Sequence, residues 1–275
     1  MQPPPLVSVV VATKNEEKNI ANCLQSIKEQ SYPSLEIIVV DNHSMDNTVE
    51  IARRFTDKVY LKGPGRAAQL NLGVREARGK YVLYPDADMI LSREVVVECV
   101  DKCENDSCIA LFIPEHIVGR GFWIKVRDFE RSFYDASCID AVRFVGRDNF
   151  LETGGFDEEG LAFGADDWDF SRRVSELGPT GIIRSPLCHN EGDFNLKRYL
   201  AKKGRYSTSL DQYVAKWGKG DPIVRKQAGA RYRLLGVFTE DGKWKKLVRH
   251  PLLTLGLYSL RFMVGATYCW HRMGH

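Results

Sequence analysis

The chain has 275 residues, 44% hydrophobic and 27% charged, with a formal net charge of +3. That length admits one large domain, or a domain with an appendage, of ordinary globular composition. Seven scattered cysteines, odd in number and with no C-x-x-C pair, exclude a secreted disulfide scaffold. The start, MQPPPLVSVVVA, lacks the charged region and cleavage site of a signal peptide, so the cytoplasm is the expected location.

Residues 6–12 (LVSVVVA) form an apolar, β-branched run, which predicts a strand buried on both faces. The spacing of Ile20, Leu24 and Ile27 predicts a helix over 14–30. LEIIVVD (35–41) reads as a second buried strand, followed by the polar turn HSMDNT and a short helix, VEIARRF. VYL (59–61) is a third strand, and 65–79 reads as a helix with Gly79 as its C-cap. KYVLYPDAD (80–88) is a fourth strand running into an acidic turn. Residues 92–104 and 122–137 then read as helices. Strands are expected at 108–114 and 181–186, with Leu187, Cys188 and His189 just beyond the last. This alternation predicts an α/β fold with a parallel, helix-covered sheet, whose ligands lie beyond the carboxyl ends of its strands. Asp41 and the acids at 86–88 both fall at such ends.

The charge is unevenly spread. Lys197 to Arg249 holds 15 Lys/Arg against 4 Asp/Glu, while residues 1–196 hold 22 against 32. A basic segment calls for an anionic partner. No nucleic-acid reader motif is present, so an anionic membrane surface is expected, a solvated basic face being the alternative. Within that segment KWKKLVRH (243–250) precedes PLLTLGLYSLRFMVGATYCW (251–270), apolar but for Arg261 and a few small polar groups. A spanning helix needs about 20 apolar residues, and a central Arg costs on the order of 3 kcal/mol. The expectation is therefore a helix lying in the interface with Arg261 and the basic run towards headgroups. The alternative is an ordinary helix packed on the protein.

Asp86-Ala87-Asp88 carries two carboxylates on a turn, able to face one hard cation and a diphosphate. A capped turn is the alternative. Asp41 can bond the base or ribose of a nucleotide, whereas Asp46 and Asn47 suit an Asx-turn or helix cap. GADDWDF (164–170) places Asp166, Asp167 and Asp169 before a helix. One of them can serve as a general base; acids complementing a helix dipole are the alternative. His189 is a candidate third metal ligand or a structural hydrogen-bonder.

VSVVVATKNEE, EIIVVDNHSMDNT, GRAAQLNLG, PDAD, GGFDE and GADDWDF, in this order over roughly 6–195, resemble the family 2 glycosyltransferases of the GT-A fold. The resemblance implies a nucleotide-diphosphate-sugar donor, Mn2+ or Mg2+, and inversion without a covalent intermediate. It assigns Ala12, Thr13, Asn15 and Glu16 to the nucleotide pocket, Asp41 to base or ribose, and Arg66 to the donor. Asp86, Ala87 and Asp88 form the D-x-D that holds the cation, its first Asp often touching ribose. Asp167 takes the place of the catalytic base, with Asp166 standing where the family has Glu. No Q-x-x-R-W follows, so transfer of a single sugar is expected rather than polymerisation.

The organisation expected is a catalytic domain over 1–195 and a basic helical extension over 196–275. Within the first, roughly 6–90 would bind the nucleotide sugar and roughly 91–195 the acceptor. The acceptor would be lipid-linked (a polyprenyl phosphate, lipid-linked saccharide or glycolipid) and the protein peripheral at the cytoplasmic membrane face. A soluble acceptor, and a nucleotide-sugar-binding protein without turnover, are the alternatives.

Overall fold

The computed structural model describes residues 3–161 and 165–273, with only the backbone considered at 205–208, 269 and 271–273. The chain begins with β1 (Val7–Thr13), α1 (Ile20–Lys28), β2 (Leu35–Asp41), α2 (Thr48–Arg53), β3 (Val59–Leu61), α3 (Arg66–Glu76) and β4 (Tyr81–Leu83). Next come β5 (Met89–Leu91), α4 (Val95–Asp106), β6 (Ala110–Phe112), β7 (Glu115–Arg120), α5 (Phe122–Arg131), β8 (Val142–Gly146) and α6 (Arg147–Glu152). They are followed by α7 (Ala165–Leu177), β9 (Thr180–Ile182), β10 (Leu187–Asp193), α8 (Leu196–Trp217) and α9 (Pro222–Ala228). A π-helical turn (Tyr232–Gly236), α10 (Val237–Thr239), α11 (Trp244–Arg249) and α12 (Pro251–Met273) complete it.

These elements form two compact units. The first holds Met1–Glu115, Ala141–Glu158 and Asp169–Asn190; the second holds His116–Asp140, Glu159–Trp168 and Glu191–His275.

The first unit is built on a seven-stranded sheet in the order β3-β2-β1-β4-β8-β6-β9. β1 runs parallel to β2 and β4, and β2 to β3, while β8 runs antiparallel between β4 and β6. Val7, Val9 and Val11 enter one apolar cluster with Ile20, Leu24 and Ile27 of α1. Val10 enters the other, with Leu70 and Val74 of α3 and Phe170 and Val174 of α7. Burial on both faces is why the strand reads as an unbroken apolar run. Each fully buried aliphatic side chain contributes about 1.5–3 kcal/mol.

Three local expectations are corrected. The helix expected from 14 begins only at Ile20, because the amides of Asn15, Glu16 and Glu17 donate instead to the side chains of Ser44, Thr48 and Asp46. Gly79 is not the cap of α3, which ends at Glu76 with Ala77 in that place. A Cβ on Gly79 would fall 2.6 Å from Ser8 N, so glycine there permits close approach to β1. Leu187–His189 belong to a strand, β10, which pairs antiparallel with β5.

The second unit is largely helical. Val126, Phe129 and Phe133 pack with Val237, Phe238, Leu257 and Leu260. Charged groups lie inside this cluster. Glu130 takes Arg127 Nη1 at 2.5 Å and Arg261 Nε at 2.7 Å, and accepts from the Tyr134 hydroxyl. Arg261 is only 8% exposed, with its guanidinium over the rings of Tyr134 and Phe238. The expectation that Arg261 faces lipid headgroups is therefore overturned: a buried carboxylate draws it inward. The outward face of α12 carries Leu252, Leu255, Phe262 and Trp270, between 68% and 78% exposed. At about 100° per residue these four lie within an arc of about 80°. Among the described residues no helix is long and apolar enough to cross a membrane.

Candidate active site

The parallel register sets Thr13 opposite Asp41, and an isolated bridge joins Ala12 to Asp86. The carboxyl ends of β1, β2 and β4 thus meet along one edge, where doubly wound sheets bind ligands. Gln69 of α3 fixes that edge by donating from Nε2 to Thr13 O (2.9 Å) and Val40 O (2.6 Å). Thr13 Oγ1 is buried and has no hydrogen-bond partner, an arrangement that costs free energy unless something else satisfies it.

Two loops are laced together beyond this edge. Asn15, at φ 53°, receives the Met45 amide on Oδ1 (2.9 Å), and the Glu16 amide donates to Thr48 Oγ1 (2.8 Å). Asp41 is fully buried and accepts the Ser44 amide at 2.7 Å and the Ser44 hydroxyl at 2.5 Å. Asp46 accepts from Thr48, whose hydroxyl holds its carboxyl below the usual range. Both acids brace the loop.

The two acids of the D-x-D have different surroundings. Asp86 is held by Arg66 Nε at 2.9 Å and Arg143 Nη2 at 3.3 Å. Burial opposes its ionisation, but Arg66, Arg143 and His189 outweigh that and keep its carboxyl well below the usual range. Arg143 in turn meets Glu115 Oε1 at 3.1 Å. Asp88 Oδ2 lies 3.0 Å from His189 Nε2. The β5–β10 pairing brings them together, with His189 opposite Met89 and the Asn190 amide on Asp88 O. Burial works against a protonated His189, yet Asp88, Glu115 and Asp86 raise its pKa.

One carboxylate oxygen and one imidazole nitrogen converge at Asp88 and His189. Mn2+ or Mg2+ accepts such donors when phosphate oxygens or water complete the shell, so the residues fit a divalent cation held jointly with a diphosphate. Among the described residues no group of three His, Cys, Asp or Glu could hold a metal without such outside ligands.

Of the three acids at the start of α7, Asp169 is fully buried and bound to Arg173, which also reaches Thr153 O and Gly155 O. Asp169 anchors the GGFDE turn. Asp166 is 4% exposed, and Asp167 is half-buried in the first helical turn. Gly164 of that motif lies outside the described residues.

Sequence reasoning missed Arg143, Glu115 and Gln69. The signal for Arg143 was its place inside the apolar strand AVRFVG, where a buried cation needs an acid.

A mainly parallel sheet with acids at its strand ends, helices on both faces and a helical extension is the GT-A architecture of nucleotide-diphospho-sugar transferases. The chain belongs to glycosyl transferase family 2, whose sequence profile matches residues 8–160. It is 35% identical over 201 residues to glycosyltransferase GlyG of Streptococcus pneumoniae, covering 70% of this chain and 62% of that one. It is 32% identical over 126 residues to the poly(ribitol-phosphate) beta-N-acetylglucosaminyltransferase TarS of Staphylococcus aureus, covering 42% of this chain and 22% of that one. The chain thus spans less than two thirds of either relative. The mannosyltransferase PcManGT of Pyrobaculum calidifontis, solved with GDP-Man and Mn2+, shares the fold. Its TM-score is 0.63 at 23% identity, covering 98% of this chain and 88% of that one.

Proposed function

We propose that the protein is an inverting, non-processive glycosyltransferase moving one sugar from a nucleotide-diphosphate sugar to a lipid-linked acceptor at a membrane surface. The observation that carries this reading is the meeting of Asp88 with His189, next to Asp86, at the carboxyl edge of the sheet. Mn2+ or Mg2+ held by Asp86, Asp88 and His189 would supply Lewis-acid neutralisation of the departing diphosphate. Asp86, fixed by Arg66 and Arg143, is the group for the donor's ribose. Ala12, Thr13, Asn15, Glu16, Asp41 and Ala87 border the nucleotide, with Thr13 Oγ1 gaining the partner it lacks. PcManGT, solved with GDP-Man and Mn2+, supports a nucleotide-sugar donor and a divalent cation.

Asp167 is the general base. It takes the acceptor hydroxyl's proton as that oxygen attacks the anomeric carbon and the nucleotide diphosphate leaves from the opposite side. The commitment of Asp169 to Arg173 favours Asp167 among the three acids. The exposed apolar stripe of α12, preceded in the chain by Lys243, Lys245, Lys246 and Arg249, supports a lipid surface as the acceptor's location.

A thermal-shift panel of nucleotide diphosphates and their sugars, with and without Mn2+, tests the site. A Mn2+-dependent stabilisation is expected, abolished in Asp88→Asn and weakened in His189→Ala. Unchanged Mn2+-dependent binding by a folded Asp88→Asn protein would overturn the assignment. Donor hydrolysis in Mn2+ separates an enzyme from a binding protein.

A further inference from the structure

Three cations border one hollow far along the sequence from the acids of the donor site. It measures about 590 Å³ and lies where α9 meets the π-helical turn. Arg225 and Lys226 come from the last turn of α9, and Arg231 directly precedes Tyr232. All three are exposed, and among the described residues none of them forms an ion pair. Cations in a last turn complement the helix dipole, which accounts for Arg225 and Lys226 but not for Arg231.

The corner depends on two glycines. A Cβ on Gly229 would stand 2.2 Å from Arg225 O, and one on Gly236 would stand 2.6 Å from Tyr232 Cδ2. A larger residue at either position would have to displace the Arg225 carbonyl or the Tyr232 ring. The π-helical turn is itself an uncommon element that recurs at functional sites. The rest of the lining is partly apolar, with the Tyr232 ring under Lys226 Nζ at 5.7 Å and Leu235 54% exposed. Glu240 accepts from the Tyr232 hydroxyl but is paired with Lys243 at 3.5 Å, so it does not neutralise the three cations.

We propose that this hollow binds a phosphate monoester, with the Arg225 and Arg231 guanidiniums on its oxygens and the Tyr232–Leu235 lining against the adjoining chain. Guanidinium forks match phosphate oxygens, and basic pockets next to apolar surface suit lipid phosphate headgroups. The lipid source of that phosphate rests on the membrane reading above; the phosphate site itself does not.

The test uses the full chain, Arg225→Gln/Arg231→Gln, and a charge-matched control, Lys197→Gln/Lys219→Gln. Flotation is compared on phosphatidylcholine vesicles carrying either phosphatidic acid or phosphatidylserine at equal surface charge. The unaltered chain and the control should prefer phosphatidic acid. The arginine variant should lose that preference and bind phosphatidic acid about tenfold more weakly. Equal weakening of both double variants on both vesicles, or none at all, overturns the proposal when glycerol 3-phosphate binding is also indifferent to the arginine substitutions. Glycerol 3-phosphate, titrated by NMR without vesicles, separates the sources. Binding that is lost in the arginine variant assigns a soluble phosphate ester, and headgroup preference without such binding assigns a lipid. If no form binds vesicles while glycerol 3-phosphate still binds, the membrane reading fails and the phosphate site stands.

Discussion

The two units differ less in what they bury than in what they leave outside. In the first, strands and helices enclose aliphatic side chains on both faces of the sheet, and the buried charges are closed into pairs such as Arg143–Glu115 and Asp169–Arg173. In the second, Arg127, Glu130 and Arg261 lie among aromatic rings, while Leu252, Leu255, Phe262 and Trp270 face outward. Burial, together with Arg127, also lowers the Lys203 ammonium there to about 7. An apolar core with polar edges needs no partner to explain it. A buried ionic cluster with an exposed apolar stripe has the character of a surface that meets something apolar and anionic.

The largest expected loss of stability comes from Glu130→Ala. It strands Arg261 in an apolar interior and leaves Arg127 with Glu191 alone, a change that costs about 3–5 kcal/mol. Hydrogen exchange should accelerate over 116–140 and 191–275 while β1 and β2 keep their protection. Uniform acceleration across both units would show that the ionic cluster is not a local support.

Next in size is Asp167→Asn, which removes the basic lone pair and keeps the shape. Transfer should fall by about a hundredfold or more while Mn2+-dependent donor binding persists. Near-normal transfer beside an inactive Asp166→Asn would move the base by one residue. A mild loss with Asp166→Asn also active would point to an acceptor that is a phosphate, already ionised at neutral pH.

Glu36 offers a pH test of the first unit. Burial opposes its ionisation, but Lys58, Ser8 and the Arg78 amide together lower its pKa from 4.5 to about 2. Because the folded value lies below the unfolded one, this stabilisation is complete above about 4.5 and is lost as pH falls towards about 2. Glu36→Gln should cost about 2 kcal/mol at neutral pH, as read by urea unfolding, and the gap should close across that window. A gap independent of pH would mean that shape rather than charge holds Ser8, Lys58 and Arg78 together.

The smallest effect on stability belongs to Leu255→Ser/Phe262→Ser. Exposed substitutions shift stability within about 0.5 kcal/mol, yet vesicle binding should drop. A large loss of stability instead would show that the stripe is covered by the protein itself.

The β-α alternation, the acids at the ends of β2 and β4, and the paired carboxylates Asp86 and Asp88 are all legible along the chain. These are local properties: periodicity over a few residues and the chemistry of one turn. What each acid does depended on neighbours that the sequence holds far apart. His189 reaches Asp88 across 101 residues through the β5–β10 pairing, and Arg143 reaches Glu115 across 28, contacts that no local pattern announces. The same holds for Asp169, whose commitment to Arg173 removed it from the candidate bases. It holds most of all for Arg261. Read along the chain, it is a cation interrupting an apolar run and therefore belongs at headgroups. Only packing against Glu130 turned it inward, because a carboxylate already buried in an apolar cluster needs a cation more than the lipid surface does.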